Sequence, residues 1–283
     1  MNEDITFLVN SCDKYEDAWH PFFECLHIFF PEMHYPIVLN TETKSYASKH
    51  FSIQTINVPH KMTWSKRMQN VLQQIHTKYV LFLLDDYFLK SPFDDIRFQK
   101  VLQYMEDHPE VGIVDISPPW AANAAEAKQN AIRMKDKPDA FAIREKKEWN
   151  IVCTPAIWRR DAFLRILKPH EDIWQFEYYS GIRANLLHIP VVRYSTHTPT
   201  IYDYEDQLWG DKGITSGHWL SGNKPFFEQL GIEVNYDRLG IIDAKNVEDV
   251  KKYNRRNPLR LIKKIPRKIR LICDRKKSLK VEE

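Results

Sequence analysis

Two adjacent carboxylates, Asp85 and Asp86, have the clearest potential for chemistry in this 283-residue chain. They directly follow Tyr79–Leu84, an uncharged apolar run typical of a central strand that is covered on both faces. At the end of such a strand, two neighbouring carboxylates repel each other and lose solvation, and a cation relieves both effects. Mg²⁺ and Mn²⁺ prefer such hard oxygen ligands, completed by substrate phosphates. The competing interpretation is a solvated turn or a helix cap with Lys90 nearby.

A second group of carboxylates lies among aromatic residues in the segment 170–179, which reads HEDIWQFEYY. Aromatic faces pack on the C–H surface of a pyranose, and carboxylates accept its hydroxyl protons, so the segment predicts a sugar platform. The alternative is an amphipathic helix whose aromatic residues fill the core and whose acids face water. The acids are Glu171, Asp172 and Glu177, and the aromatic residues are Trp174, Phe176, Tyr178 and Tyr179.

Glycine is scarce, with eight residues in the chain and none before Gly112. The phosphate-binding motifs GxGxxG and GxxxxGK[ST] both depend on glycine for close backbone approach, and neither occurs. If the N-terminal half binds a nucleotide, side chains and a metal ion must therefore hold the phosphates.

Short apolar, β-rich runs alternate with segments of helical periodicity over residues 1–116. This alternation predicts an α/β fold with a mainly parallel sheet flanked by helices. Ligands of such sheets bind beyond the carboxyl ends of the strands. The segments predicted to share that edge are Asn10–Asp13, Asn40–Glu42, Asp85–Asp86 and Asp115–Ser117. The predicted strands are 5–9, 36–39, 51–58, 79–84 and 111–116, and the predicted helices are 14–30, 64–75 and 93–107.

The order of these elements resembles the GT-A nucleotide-sugar glycosyltransferases, especially the family-2-type bacterial enzymes that build surface polysaccharides. YVLFLLDDYFL is similar to their strand that ends in the DD or DxD metal motif. PAIWRRDAFLRIL followed by HEDIWQFEYYSGIR is similar to their block of RR, FDE, ED and a trailing Arg. Glu171 and Asp172 fall on the DE pair, Glu177 on the first acid of ED and Arg183 on the trailing Arg, whereas Tyr178 replaces the second acid of ED.

The resemblance implies a donor site for a nucleotide-diphosphate sugar. Asp86 would coordinate the Mn²⁺ or Mg²⁺ ion that bridges the diphosphate, and Asp85 would contact the ribose or a metal-bound water. Asp13 and the turn that contains Thr41 and Glu42 would meet the nucleoside.

The resemblance also implies an inverting transfer, in which one carboxylate removes the proton of the acceptor hydroxyl. Glu177 is the first candidate for this base and Asp172 the second. The expected enzyme is a hexosyltransferase that acts on a surface glycan, such as a lipid-linked precursor of lipopolysaccharide or capsule. Two alternatives stay open. A sugar-phosphate nucleotidyltransferase is disfavoured by the lack of an N-terminal Gly-rich loop, and a non-catalytic carbohydrate or membrane-tethering module is favoured by the loss of the second ED acid.

The C-terminal tail differs sharply in charge from the body. Residues 251–283 hold fourteen Lys and Arg against three Asp and Glu, a net charge of +11, whereas the rest of the chain carries −8. Basic residues around an apolar stripe are typical of an interfacial helix on anionic lipid, although the stripe could instead dock on the body. Nucleic-acid binding is disfavoured because the tail has almost no aromatic residues and the body is acidic. The stripe consists of Leu259, Ile262, Ile265, Ile269 and Ile272.

The predicted organisation is a catalytic domain over residues 1–245 followed by the tail over 246–283. Within the domain, 1–116 would bind the nucleotide sugar and 117–245 the acceptor. The acidic N-terminus lacks the features of a signal peptide, and the four cysteines form no CxxC pair. The sequence therefore predicts a cytoplasmic protein bound peripherally to the inner face of the plasma membrane.

Overall fold

Eight strands form one sheet in the computed structural model, which describes residues 4–59, 61–117, 140–143, 149–195, 200–204, 213–243 and 272–281. The strands are β1 (Ile5–Asn10), β2 (Ile37–Thr41), β3 (Ile53–Asn57), β4 (Tyr79–Leu84), β5 (Ile113–Asp115), β6 (Ala140–Ile143), β7 (Ala156–Arg159) and β8 (Val191–Ser195). Their order across the sheet is β3-β2-β1-β4-β7-β5-β8-β6.

Strands β1 to β4 run parallel, and their carboxyl ends lie level with one another. Asn10 of β1 pairs with Asn40 of β2 on one side and with Leu84 of β4 on the other. Strand β7 is antiparallel to both β4 and β5, so β5 runs in the same direction as β4. The predicted mainly parallel sheet is confirmed, and the segments that follow β1, β2, β4 and β5 leave it at one edge.

Helices cover both faces of the sheet, as the apolar run of β4 predicts. The helices are α1 (Trp19–Phe29), α2 (Trp64–Leu72), α3 (Asp95–Asp107), α4 (Arg160–Ile166), α5 (Ile173–Leu186), α6 (Lys224–Leu230) and α7 (Arg275–Leu279). Phe7 and Leu81 belong to the core cluster that includes residues of α1 and α3. Leu8 and Phe82, one position along each strand, belong to the cluster that includes residues of α2, α4 and α5. Successive side chains of a strand point to opposite faces, so both faces of β1 and β4 are buried.

The helix predicted over 14–30 is two elements in the structure. A 3-10 helix spans Asp13–Ala18, and α1 follows it directly. Within the 3-10 helix, Tyr15 has non-helical backbone angles. The periodic apolar residues from Trp19 onward predicted the second element correctly, but they carry no information on how the chain leaves β1.

A small second sheet packs beside the end of β4. It contains β9 (Ile214–Thr215), β10 (His218–Leu220) and β11 (Ile241–Ile242). Gly213, just before β9, donates its N–H to the carbonyl oxygen of Asp86 at 2.8 Å. A Cβ atom at this position would lie 1.9 Å from the ring of Phe88, so the close approach requires glycine.

The last described segment, residues 272–281, docks on α5. The side-chain amide of Gln175 donates to the Asp274 carboxylate at 2.9 Å, and Ser278 is fully buried. Ile272, the last residue of the predicted stripe, is exposed, and the other four stripe residues lie outside the described part of the chain. Among the helices that the structure describes, no apolar segment is long enough to cross a bilayer.

Candidate active site

Asp85 is buried at the carboxyl edge of the sheet and is held by a residue that follows β1. The Ser11 hydroxyl donates to Oδ2 of Asp85, and the indole N–H of Trp19 donates to the Ser11 Oγ at 2.6 Å. Asp85 is only 5% exposed, whereas Asp86 is half-buried. The structure thus places the predicted acidic pair at the predicted edge. The predicted edge segment Asn10–Asp13 includes Ser11, but the sequence does not predict its hydrogen bond to Asp85.

The environment of Asp85 opposes its ionisation. Burial, and then the neighbouring charge of Asp86, raise the pKa of Asp85 well above its ordinary value, although the Ser11 hydroxyl acts in the opposite direction. Burial, followed by the charges of Asp85 and Glu42, also raises the pKa of Cys12 to about 11. The Cys12 thiol therefore stays protonated at neutral pH and is not an activated nucleophile. A cation beside the two aspartates would favour their charged forms.

The structure brings together the predicted nucleoside-binding residues Asp13 and Glu42, and they brace each other. Asp13 donates its backbone N–H to Oε2 of Glu42, and Glu42 donates its backbone N–H to Oδ1 of Asp13 at 3.1 Å. Arg67 donates to Oε1 of Glu42 at 2.7 Å and to the carbonyl oxygen of Ser11 at 3.2 Å. Arg67 was missed by sequence reasoning, since nothing in the spacing of α2 distinguishes it.

Hydrogen bonds fix the charge of Asp13. Burial alone raises the pKa of Asp13, but hydrogen bonds to its carboxylate outweigh this effect and lower the pKa to about 2. The donors are the Thr43 hydroxyl and the backbone N–H groups of Thr43, Lys44 and Glu42. The third residue of the group, Thr41, donates to the carbonyl oxygen of Lys44 and accepts a hydrogen bond from Asn57 at 2.6 Å. These polar groups hold the loops after β1 and β2 in place around the edge.

Glu177, the first candidate for the base, reaches the same edge from α5. Its Oε1 accepts a hydrogen bond from the backbone N–H of Cys153 at 2.9 Å. The antiparallel pairing of β4 with β7 ends at Phe82 and Ala156, so residues 153–155 enter the sheet where Asp85 and Asp86 leave it. The contact with Cys153 therefore places Glu177 on the side of the molecule that carries the acidic pair.

Asp172, the second candidate, is the N-cap of α5. Its carboxylate accepts hydrogen bonds from the backbone N–H groups of Trp174 at 3.0 Å and Gln175 at 2.9 Å. The Gln175 side chain accepts from the Asp172 backbone in return, which completes a capping box. This arrangement satisfies N–H groups that a helix leaves unpaired at its start.

Glu171 and Arg183, two residues of the family-like block, form a fully buried ion pair. Arg183 donates through Nη1 and Nη2 to the two carboxylate oxygens of Glu171, each at 2.7 Å. It also donates to the carbonyl oxygens of Ile166 at 2.7 Å and Ser278 at 2.8 Å. Both side chains have no exposed surface, so this pair organises the interior and the docked C-terminal segment.

The aromatic residues of the block separate into two groups, and the predicted four-residue platform is wrong in part. Phe176 and Tyr179 are each 1% exposed and pack in the interior, because they lie on the face of α5 turned toward the sheet. Trp174 is exposed and Tyr178 is half-buried. Of these four residues, only Trp174 and Tyr178 therefore keep exposed surface.

Asp115 ends β5 at the edge that the sequence predicted. It accepts a hydrogen bond from the Ser117 hydroxyl and forms an ion pair with Arg193 of β8, in which Nη2 of Arg193 lies 2.9 Å from Oδ2 of Asp115. Asp115 is 3% exposed, so its charge is balanced within the protein. The partner Arg193 was missed, because its register opposite Asp115 depends on the pairing of β5 with β8.

Within the described ranges, no three His, Cys, Asp or Glu side chains come together as a ligand set for a metal ion. Asp85 and Asp86 as a pair nevertheless fit Mg²⁺ or Mn²⁺, since such ions are commonly held by one or two carboxylates together with water and substrate phosphates. Burial and the neighbouring charge of Asp86 raise the pKa of Asp85, and a cation bound to the pair would oppose both effects.

No family model and no curated protein matches the chain. Solved structures do match. Staphylococcus aureus TarS 1–349 in complex with UDP matches with a TM-score of 0.44 and 10% identity over 68% of this chain and 57% of that chain. Mannosyltransferase PcManGT from Pyrobaculum calidifontis, in complex with GDP-Man and Mn²⁺, matches with a TM-score of 0.40 and 10% identity over 69% of this chain and 58% of that chain.

A third matching structure is CMP:2-keto-3-deoxy-manno-octonic acid synthetase complexed with CTP. Its TM-score is 0.40 and its identity 12%, over 67% of this chain and 88% of that chain. The chain spans only 37% of the longer TarS chain. At these levels of similarity, the function has to be inferred from the residues of the chain itself.

Proposed function

We propose that this chain is a metal-dependent glycosyltransferase that moves a sugar from a nucleotide-diphosphate sugar to a glycan acceptor. The observation that carries the proposal is the pair Asp85 and Asp86 at the carboxyl edge of β4, with Asp85 buried and its pKa raised by burial and by the charge of Asp86. Glu177 reaches the same edge through Cys153. A metal-binding pair and a separate carboxylate are the groups that such a transfer needs.

The donor would bind along the ends of β1, β2 and β4. Asp86 would hold Mn²⁺ or Mg²⁺, and Asp85 would contact the ribose or a metal-bound water. When bound, the cation would neutralise charge on the leaving diphosphate. Asp13, Thr41 and Glu42 would border the nucleoside, and their mutual hydrogen bonds support this role because they hold the surrounding loops in one shape.

Glu177 would take the proton of the acceptor hydroxyl as the hydroxyl oxygen attacks C1 of the donor sugar. This attack inverts the configuration at C1. The bond from C1 to the diphosphate oxygen breaks as the new glycosidic bond forms. The Cys153 N–H orients the Glu177 carboxylate for this step. Asp172 is less suited, because its carboxylate already caps α5.

The proposal is tested by calorimetric titration of UDP and GDP in the presence and absence of Mn²⁺. Wild-type protein should bind one of the nucleotides only with Mn²⁺, and Asp86→Asn should lose this binding while its unfolding temperature is unchanged. Equal affinity in the variant would remove Asp86 from the site. Release of nucleoside diphosphate from a sugar nucleotide would support transfer, whereas release of pyrophosphate from a nucleoside triphosphate would indicate a nucleotidyltransferase.

We further propose that the acceptor is a lipid-linked surface glycan and that the basic tail holds the enzyme at the inner face of the plasma membrane. The +11 tail supports this, since each Lys or Arg near an anionic surface contributes about 1 kcal/mol. Replacing Lys251, Lys252, Arg255 and Arg256 by Gln should reduce sedimentation with liposomes that contain phosphatidylglycerol, and leave the docking of Asp274 and Ser278 intact. Unchanged sedimentation would contradict the membrane role.

A further inference from the structure

An exposed tryptophan that the sequence pattern does not mark lies against the helix that carries Glu177. The ring of Trp149 meets the ring of Tyr178 edge to face, with centroids 5.4 Å apart and an interplanar angle of 84°. Trp149 is 44% exposed, so its ring is accessible to a ligand. Tyr178 directly follows Glu177 in α5, so Trp149 contacts the chain neighbour of the candidate base.

The backbone of Trp149 adopts the left-handed region, with φ of 58°. This conformation is uncommon for residues other than glycine and is an outlier for a bulky one. Such strain persists only where the surrounding structure imposes it, and it is concentrated at ligand clamps and active sites. The position of the Trp149 ring is therefore imposed by its surroundings.

Two contacts tie this segment to α5: the Trp149 ring packs on Tyr178, and Cys153, four residues after Trp149, donates its N–H to Glu177. Within α5, the Tyr178 ring packs edge to face on the buried Tyr179 with centroids 4.8 Å apart. Tyr178 is thereby supported from behind. The two aromatic rings form a wall that is fixed before any ligand arrives, which lowers the entropic cost of binding.

A buried donor without a partner belongs to the residue that follows Trp149 in the chain. Asn150 is 6% exposed, and its Nδ2 has no hydrogen-bond partner in the described part of the chain. Buried amide groups are nearly always hydrogen-bonded, so an unpaired one points to a missing acceptor. A ligand with an apolar face and hydroxyl oxygens would satisfy both the exposed ring and the unpaired donor.

We propose that Trp149 and Tyr178 form the wall of an acceptor subsite that binds a pyranose ring of the glycan. The C–H face of the sugar packs on the aromatic wall, and a hydroxyl accepts from Asn150. A sugar held there lies beside Glu177, the carboxylate that would take its proton. The designation as acceptor subsite rests on the proposed glycosyltransferase function, whereas binding of a pyranose does not.

The test is saturation-transfer NMR with methyl β-glucopyranoside, methyl β-galactopyranoside and N-acetylglucosamine as probes. Wild-type protein should transfer saturation to the ring protons of at least one probe. Trp149→Gly, which suits the left-handed backbone, and Tyr178→Ala should each lower the transfer roughly fivefold or more, the scale of one aromatic contact. Trp149→Phe should retain most of it, because an aromatic face remains.

Trp174→Ala is the matched control, since Trp174 lies on the first turn of the same helix and is 42% exposed. This variant should behave as wild type. The subsite is overturned if no probe receives saturation from wild-type protein, if Trp149→Gly transfers as well as wild type, or if Trp174→Ala loses as much as Trp149→Gly. Thermal unfolding of each variant checks that it is folded.

The two proposals fail in different ways. If wild-type protein binds a pyranoside through Trp149 but binds no nucleotide with Mn²⁺, the transferase proposal is wrong and the sugar subsite stands. If nucleotides bind and no pyranoside does, the subsite is wrong and the transferase proposal stands.

Discussion

Two of the adjacent acidic pairs in the chain, Asp85–Asp86 and Glu171–Asp172, look alike in sequence and have opposite surroundings in the structure. Glu171 forms a bidentate ion pair with Arg183, and Asp172 caps α5, so both members of this pair have partners within the protein. In the pair Asp85 and Asp86, Asp85 is equally withdrawn from water but receives its hydrogen bond from a neutral hydroxyl, Ser11. The first pair organises the interior, whereas in the second pair burial and the charge of Asp86 oppose the ionisation of Asp85.

The difference shows that the chemistry of a carboxylate depends on its partner more than on its burial. A buried carboxylate with a guanidinium partner helps to fix the fold, because removing either member leaves the other as an uncompensated buried charge. A buried carboxylate with only neutral hydrogen-bond partners costs stability in its charged form, and a bound cation would offset that cost. We therefore assign structure to the pair at 171–172 and ligand binding to the pair at 85–86.

The largest effect that we expect comes from the buried ion pair. Glu171→Gln should lower the free energy of unfolding by about 3–5 kcal/mol, because Arg183 is left charged and unpaired in the interior. Denaturant titration monitored by circular dichroism measures this change.

The matched control is Asp85→Asn, which makes the same kind of change in the other pair. The pKa of Asp85 is raised, so its charged form destabilises the protein once the pH exceeds the ordinary pKa of an aspartate. An amide at this position removes that penalty. Asp85→Asn should therefore unfold no more easily than wild type at pH 7. A loss as large as that of Glu171→Gln would refute the contrast between the two pairs.

The next effect concerns catalysis and separates Glu177 from the pair that precedes it. Glu177→Gln should lower sugar transfer by about 10²-fold or more, the usual scale for loss of a general base, and leave nucleotide affinity unchanged. Asp172→Asn is the comparison, since asparagine also caps a helix well but carries no charge. If Asp172→Asn is the inactive variant, Asp172 is the base and Glu177 is not.

The smallest effect concerns the helix cap. Asp172→Ala removes the side chain that accepts from the N–H groups of Trp174 and Gln175, and should cost about 1 kcal/mol of stability. Differential scanning calorimetry of Asp172→Ala and Asp172→Asn tests this, with the asparagine variant expected near wild type. Equal unfolding temperatures for alanine and wild type would show that the capping box contributes nothing measurable.

Local features of the sequence predicted the sheet and its edge well. The apolar run that ends at Leu84 correctly places Asp85 at the carboxyl end of a central strand, because a strand buried on both faces needs no polar alternation. The same reasoning places Asp13 and Glu42 near each other, since the ends of neighbouring parallel strands coincide. These features follow from short stretches of chain and from general rules of sheet geometry.

The partners of the site residues could not be predicted. Ser11 and Asp85 are 74 residues apart, and Cys153 and Glu177 are 24 apart, so these contacts depend on the finished packing. The buried positions of Phe176 and Tyr179 were within reach, because they share a helical face with Arg183 at spacings of three and four residues. Their aromatic character instead favours sugar binding, which their burial contradicts.

The contact between Arg183 and the carbonyl oxygen of Ser278 has a consequence for the order in which the molecule is completed during synthesis. Ser278 is made 95 residues after Arg183, which at ordinary translation rates is a delay of roughly 5–20 s. During that interval, α5 and Glu171 already exist, but one donor of the buried guanidinium lacks its final acceptor. The helix that presents Glu177 therefore reaches its final contacts only when the docked C-terminal segment has left the ribosome. A nascent chain that lacks Ser278 holds an Arg183 side chain that is still incompletely hydrogen-bonded.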